Sequence, residues 1–233
     1  MATFPRKWFN STTNWFKANN LCGHSKTINL SDILVDGEPK FDDSNSNFSK
    51  LIWNQEVNYV GTDDVVDFQK ITISKGDVQV NCKEIINMSI NTEGRNYYAI
   101  VDSNSPTVEK VHITKVVGTI SQSFRQLPEV TEIIIDDASQ MKTDEAGFGD
   151  FSYNPKLLKL ELNGFKGSDI NLSYYQYSSI TDEQKHQLLV GFFNSLGKLD
   201  DGVTYSIILG SGLLGLLTDE DKKIATDKGW TLA

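Results

Sequence analysis

The sequence predicts a β-rich α+β fold, in which a β-rich N-terminal part is followed by a short solenoid of parallel coils closed by a helical cap. Three observations carry this. A Pro-led strand pattern recurs at Pro106, Pro128 and Pro155. A capped amphipathic helix begins at Thr181. Between residues 26 and 100, β-branched runs alternate with turn dipeptides.

In chain order, the first twenty residues carry two aromatic pairs, Trp8-Phe9 and Trp15-Phe16. Their seven-residue spacing is two helical turns and would place both pairs on one face. Pro5 and Thr12-Thr13 oppose a helix there. The segment is read as a docking arm, onto its own core, onto a neighbouring subunit or, by stacking, onto carbohydrate. Strands are expected at Thr27–Leu30, Phe68–Ile73, Val78–Val80 and Glu84–Ile90. The turns between them are Asp36-Gly37, Lys75-Gly76-Asp77 and Glu93-Gly94-Arg95.

The repeat is the most informative feature. PTVEKVHI from Pro106, PEVTEIII from Pro128 and PKLLKLEL from Pro155 share one pattern: Pro, any, aliphatic, any, charged, aliphatic, any, aliphatic. From Pro106 to Pro128 is 22 residues, and from Pro128 to Pro155 is 27. Both lie in the ~20–29-residue range of leucine-rich repeats. Proline lacks the N–H a ladder needs and so marks the strand's start. The last two aliphatics point one way from a strand, and the residue between them points the other. Stacking would merge the aliphatics into one core and leave His112, Ile134 and Glu161 on an open face. Phe124, Leu127, Phe148 and Phe151 would fill the return side.

Ile170 and Leu172 follow, then the helix. Thr181-Asp182-Glu183-Gln184 fits a capping box. Leu188, Leu189, Phe192, Phe193 and Leu196 form its apolar stripe, and Gly197 is expected to close it. A fourth strand, Tyr205–Leu209, presents Ser206 outward, and Gly210-Ser211-Gly212 turns the chain after it. Thr218 caps a short last helix, Gly229 ends it, and Trp230 and Leu232 fold back as a lid. The expected organisation is thus a β-rich docking domain over residues 1–100 and a repeat module with its cap over 101–233.

Residues 155–233 resemble the terminal part of BspA-like leucine-rich-repeat proteins. The carrying stretches are PKLLKLELNGFKGSDINLSYYQYSSITDEQKHQLLVGFFNSLGKL and LTDEDKKIATDKGWTLA. The two earlier Pro-led strands carry the likeness loosely, and residues 1–100 carry none of it. The resemblance implies a leucine-rich-repeat-like solenoid that acts as an interaction module and is not an enzyme. In bacteria such modules sit on surface or secreted adhesins; in phages they sit on tail, baseplate or head-fibre components. The virion role implies oligomers, with other virion proteins and a host-surface protein or glycan as partners.

Composition narrows the classes. Lys and Arg sum to 22 and Asp and Glu to 31, a formal charge of −9. Phosphate binding needs clustered positive charge, so nucleic acid is not expected as a partner. No apolar run reaches the ~20 residues of a membrane span, so membrane insertion is not expected. The start MATFPRKWFNSTTNWFKANN lacks the apolar run of a secretory signal. This favours a chain assembled in a host cytoplasm, a virion component, over a bacterial surface protein. Cys22 and Cys82 match no metal knuckle or redox pair and are either two thiols or one disulfide. His24, His112 and His186 lack zinc spacing. No metal and no cofactor are expected. The pairs Asp42-Asp43, Asp63-Asp64, Asp136-Asp137 and Asp200-Asp201 could serve calcium or glycoside chemistry, but neighbours on a strand point to opposite faces. They are read as turn residues, so no catalytic residue is assigned. A carbohydrate-active enzyme in the first hundred residues is the least favoured alternative. Candidate binding residues are His112, Ile134, Glu161 and Ser206, with the aromatic cluster Tyr174, Tyr175 and Tyr177.

Overall fold

The computed structural model describes residues 27–29, 40–41, 51–53, 57–59, 65–68, 72–73, 78–80, 82–92, 101, 105–143, 151, 153–173 and 179–233. Over these residues the chain is mixed α/β, with parallel sheets and few helices. The short strands β1 (Thr27–Asn29), β2 (Lys40–Phe41), β3 (Leu51–Trp53), β4 (Val57–Tyr59), β5 (Val65–Asp67), β6 (Thr72–Ile73) and β7 (Val78–Val80) come first. Then follow β8 (Glu84–Asn91), β9 (Lys110–Ile120), β10 (Glu132–Ile135), β11 (Gln140–Thr143), β12 (Lys159–Leu162) and β13 (Ile170–Asn171). The C-terminal part holds α1 (Asp182–Ser195), β14 (Ser206–Ile208), α2 (Gly210–Leu214), α3 (Asp219–Thr226) and β15 (Thr231–Leu232).

Among the described residues the main sheet runs β12-β10-β9-β8-β6-β3-β2, with β11 on β9, β5 on β8 and β1 on β5. Every pairing in it is parallel except β2 with β3. Parallel neighbours require a return connection for each strand. The described residues 121–131 make the return from β9 to β10, and residues 153–158 lead into β12. The registers Lys110↔Glu132 and Glu132↔Lys159 place the three Pro-led segments directly beside one another. The lateral register therefore equals the sequence repeat.

The pattern positions pack as their chemistry requires. Val108, Val130 and Leu157, then Val111, Ile133 and Leu160, then Ile113, Ile135 and Leu162 form three buried rows, none more than 1% exposed. Burying each such side chain contributes about 1.5–3 kcal/mol. On the return side Phe124 and Phe151 stack with centroids 5.6 Å apart, and Leu127 is buried beside them. Phe148 lies outside the described residues. Phe124 and Phe151 take φ of 53° and 62°, and Gln126 and Tyr153 take 56° and 59°. Non-glycine residues rarely adopt such angles, so the same unusual turn is used in both returns.

Several elements differ from the sequence expectation. β9 continues seven residues past Ile113 because its second half has partners of its own. On one side lies the end of β8, Ser89↔Lys115 to Asn91↔Val117; on the other lies β11, Val117↔Gln140 to Thr143↔Ile120. A β-irregularity in β8 at Asn87, where φ is 57°, lets that strand follow the change of direction. β11 itself, Gln-Met-Lys-Thr, has too little apolar content to read as a strand and exists by pairing. β8 and β9 join across residue 100, and Ile85, Met88 and Ile90 share one core with Val111, Ile113 and Val116. The aromatic arm Trp8, Phe9, Trp15, Phe16 and the residues Cys22, His24, Asp42, Asp43, Asp63 and Asp64 lie outside the described residues. So do the three expected turns before residue 100.

The C-terminal elements follow their sequence signals closely. The Thr181 and Thr218 capping boxes are both formed, with Gln184 and Asp221 as reciprocal partners. Leu188, Leu189, Phe192 and Phe193 turn into the core from α1. Gly229, at φ +91°, closes α3: its N–H reaches the Thr226 carbonyl and the Trp230 N–H reaches back to Ala225. Trp230 is 2% exposed, stacks on Phe165 at 5.8 Å and donates to the Gly197 carbonyl. Gly197 corrects the sequence reading. α1 ends at Ser195 with Leu196 extended, so Gly197 is not a left-handed terminator. A Cβ there would lie 2.6 Å from the Gly164 carbonyl oxygen, and the close approach of two chain segments is what requires glycine.

Candidate functional site: the outward face of the parallel strands

The face opposite the core is built by the alternate residues of β8, β9, β10 and β12. Its first row is Glu84, Lys110, Glu132 and Lys159, each opposite the next by backbone register. The signs alternate across the strands. Lys110 Nζ lies 3.8 Å from Glu84 and 3.7 Å from Glu132, and Lys159 lies 3.2 Å from Glu161. All four first-row side chains are between 36% and 46% exposed, so each pair contributes only about 0–1 kcal/mol. Burial does not hold these groups apart from water. They remain available to a partner.

The second row is His112, Ile134 and Glu161, aligned by register. The structure therefore brings together three of the four strand residues that the sequence singles out. His112 Nε2 lies 2.9 Å from both carboxylate oxygens of Asp136, one strand over. Ser206 does not join them. It lies on β14 in a separate parallel sheet, β13-β14-β15, where its N–H donates to Asp169 Oδ1 at 2.6 Å and its hydroxyl meets Thr231 at 2.8 Å. Tyr174, Tyr175 and Tyr177 lie outside the described residues.

Above these rows the chain turns. Asp137 accepts from the Ser139 hydroxyl and backbone N–H, and Lys115 Nζ approaches at 2.9 Å. The Ser139 hydroxyl, then Lys115, holds its carboxyl well below the usual range, at about 2. Asp200 pairs with Lys166 at 2.9 Å. The described Asp-Asp pairs sit at turns, as read from the sequence, and they also make ion pairs with His112, Lys115 and Lys166 that the sequence reading did not anticipate. Among the described residues no group of three or more His, Cys, Asp or Glu is arranged to hold a metal ion. Cys82 is buried, with its thiol donating to the Glu84 carbonyl at 3.3 Å.

Two polar anchors elsewhere in the fold are ones that sequence reading passes over. Asn154 is fully buried between returns and bonds to three backbone groups. Lys228 Nζ donates to the carbonyls of Phe193, Asn194 and Leu196 at 2.7–2.9 Å, terminating α1 with a cation; burial lowers its pKa. Neither lies in a local pattern. The charge row is different: it occupies the repeat's "charged" position, and its alternation in sign was readable at Lys110, Glu132 and Lys159.

At the level the fold defines, this is a mixed α/β protein whose parallel sheet presents a regular half-exposed face. No helix among the described residues is long and apolar enough to cross a membrane. Comparison with family models, with curated proteins and with solved structures finds no match.

Proposed function

We propose that this chain is a phage virion structural protein, a tail, baseplate or head-fibre component, that docks onto the particle and displays a BspA-like leucine-rich-repeat module closed by a helical cap. The observation supporting it is the equality of sequence repeat and lateral register: segments 22 and 27 residues apart lie side by side in parallel. Repeats of this kind bury one face by stacking and leave the other as an extended recognition surface. The N-terminal segment with the Trp8-Phe9 and Trp15-Phe16 arm forms the docking part in this reading, while β8 joins the repeat strands in the recognition surface. The outward rows form the recognition surface for other virion proteins or a host-surface protein or glycan. The fold analogy supplies the class and the exposed face supplies the site.

The test is mass spectrometry of purified phage particles from a host that expresses the chain. Its presence at a fixed copy number relative to the capsid protein is the expected result. Recovery from a bacterial surface fraction, with none in particles, would instead support the second reading, a bacterial surface or secreted leucine-rich-repeat adhesin.

A further inference from the structure

The row Glu84, Lys110, Glu132, Lys159 has an even number of members and strictly alternating sign. Such a row has a geometric property. Take a twofold axis in the plane of contact, parallel to the strands and midway between β9 and β10. It brings the row onto itself in reverse order. Glu84 then faces Lys159 of a second copy, and Lys110 faces Glu132 of that copy. All four positions meet an opposite charge, and in the second row His112 meets Ile134 of the second copy. An axis perpendicular to the strands would instead keep the strand order and place Glu84 over Glu84.

The same row disfavours the obvious alternatives. A nucleic acid or an anionic lipid surface needs one sign of charge presented together. Here every cation has an anion on the neighbouring strand, with parallel strands about 4.8 Å apart. We propose that the outward face of β8, β9, β10 and β12 is an isologous self-association surface, occupied by a second copy of this chain. This rests on the proposed reading of the face as a recognition surface and names its occupant. The described row spans only about 15 Å at that strand spacing. The contact is therefore a weak, salt-sensitive one that becomes effective where copies are held close together.

Sedimentation equilibrium of the full chain tests it, at low and high salt. Wild type should self-associate reversibly, and less in high salt. The E84K/E132K variant, with an all-positive row, and the K110E/K159E variant, all-negative, should each lose self-association by at least about tenfold, because like charges then oppose one another. A mixture of the two should associate at least as tightly as wild type. The control D201K/D227K, at exposed sites off the face and matching E84K/E132K in net charge, should behave as wild type. Circular dichroism checks the fold of each, and E84Q/E132Q with K110Q/K159Q replaces any variant that fails it. Each of these alone should weaken association, and mixing them should partly recover it, because Lys110 of one then faces Glu132 of the other and Lys159 faces Glu84. The proposal is overturned if wild type remains monomeric at the highest soluble concentration, if the altered rows associate like wild type, or if the mixture fails to associate. A chain found in particles yet monomeric in solution would overturn this inference and leave the proposed function standing. Row-dependent association by a chain absent from particles would do the reverse.

Discussion

Asn154 Oδ1 accepts the Leu127 N–H at 3.0 Å, joining residues 27 apart in sequence. Its Nδ2 donates at 2.7 Å to the Phe124 carbonyl and at 2.9 Å to the Phe151 carbonyl. One buried amide thus satisfies a donor and two acceptors in returns that carry no strand ladder. Replacing it with Leu leaves those groups unpaired away from water and should cost about 2–4 kcal/mol. Asn154→Asp keeps the shape but loses the donor and buries a carboxylate against carbonyls. Urea unfolding should show N154D destabilised at pH 7 and partly recovered at pH 5, where the carboxyl is more readily protonated.

Acid should loosen the helical cap. Asp221 accepts from Thr218 and lies 2.9 Å from His186 on α1; the Thr218 hydroxyl first, then His186, lowers its carboxyl to about 2. Asp137 is lowered to about 2 as well. Both folded-state values lie below the unfolded value of 3.8. Their contribution is therefore complete above about pH 4 and is lost as pH falls through 2. Thermal melts between pH 5 and pH 2 should show D221N with a shallower loss of stability than wild type. Equal slopes would show that the Asp221 carboxylate is not coupled to folding.

Gly197 and Gly212 should respond oppositely to alanine. At Gly197 the new Cβ meets the Gly164 carbonyl oxygen at 2.6 Å, and backbone must move. The cost should be about 1–3 kcal/mol or more. At Gly212, within α2, nothing lies within 4 Å, and alanine should stabilise by roughly 0.5–1 kcal/mol through helix propensity and unfolded-state entropy. Paired denaturation curves check both.

Truncation probes the boundary drawn near residue 100. The fragment 101–233 loses β8, and with it Ile85, Met88 and Ile90 from the core shared with β9. It should expose apolar surface, bind a hydrophobic dye and melt less cooperatively than the full chain. A fragment beginning at residue 82 retains β8 and should be better folded than one beginning at 101. Equal cooperativity of the two would place the structural break at residue 100 after all.

Much of the C-terminal half was legible because its signals are local or periodic. The capping boxes at Thr181 and Thr218, the Gly229 terminator and the Leu188–Phe193 stripe each depend on residues within a turn or two. The Pro-led pattern predicted which residues are buried, since alternation along a strand is a property of the backbone. The positions of His112, Ile134 and Glu161 on one outward row followed from the same alternation once the repeats were aligned.

What the sequence by itself determined is the repeat, the caps and the inward or outward sense of each repeat strand, because period and local hydrogen bonding specify them. The tertiary structure decided the rest. It extended β9 and created β11, because a strand of low apolar content forms when a neighbour offers its ladder. It assigned Gly197 to a close approach of two segments, a contact that no local pattern encodes. It placed Ser206 in a separate sheet from His112, Ile134 and Glu161. It turned the repeat's charged position into an alternating row, since sign alternation has physical meaning only when register sets Glu84, Lys110, Glu132 and Lys159 side by side.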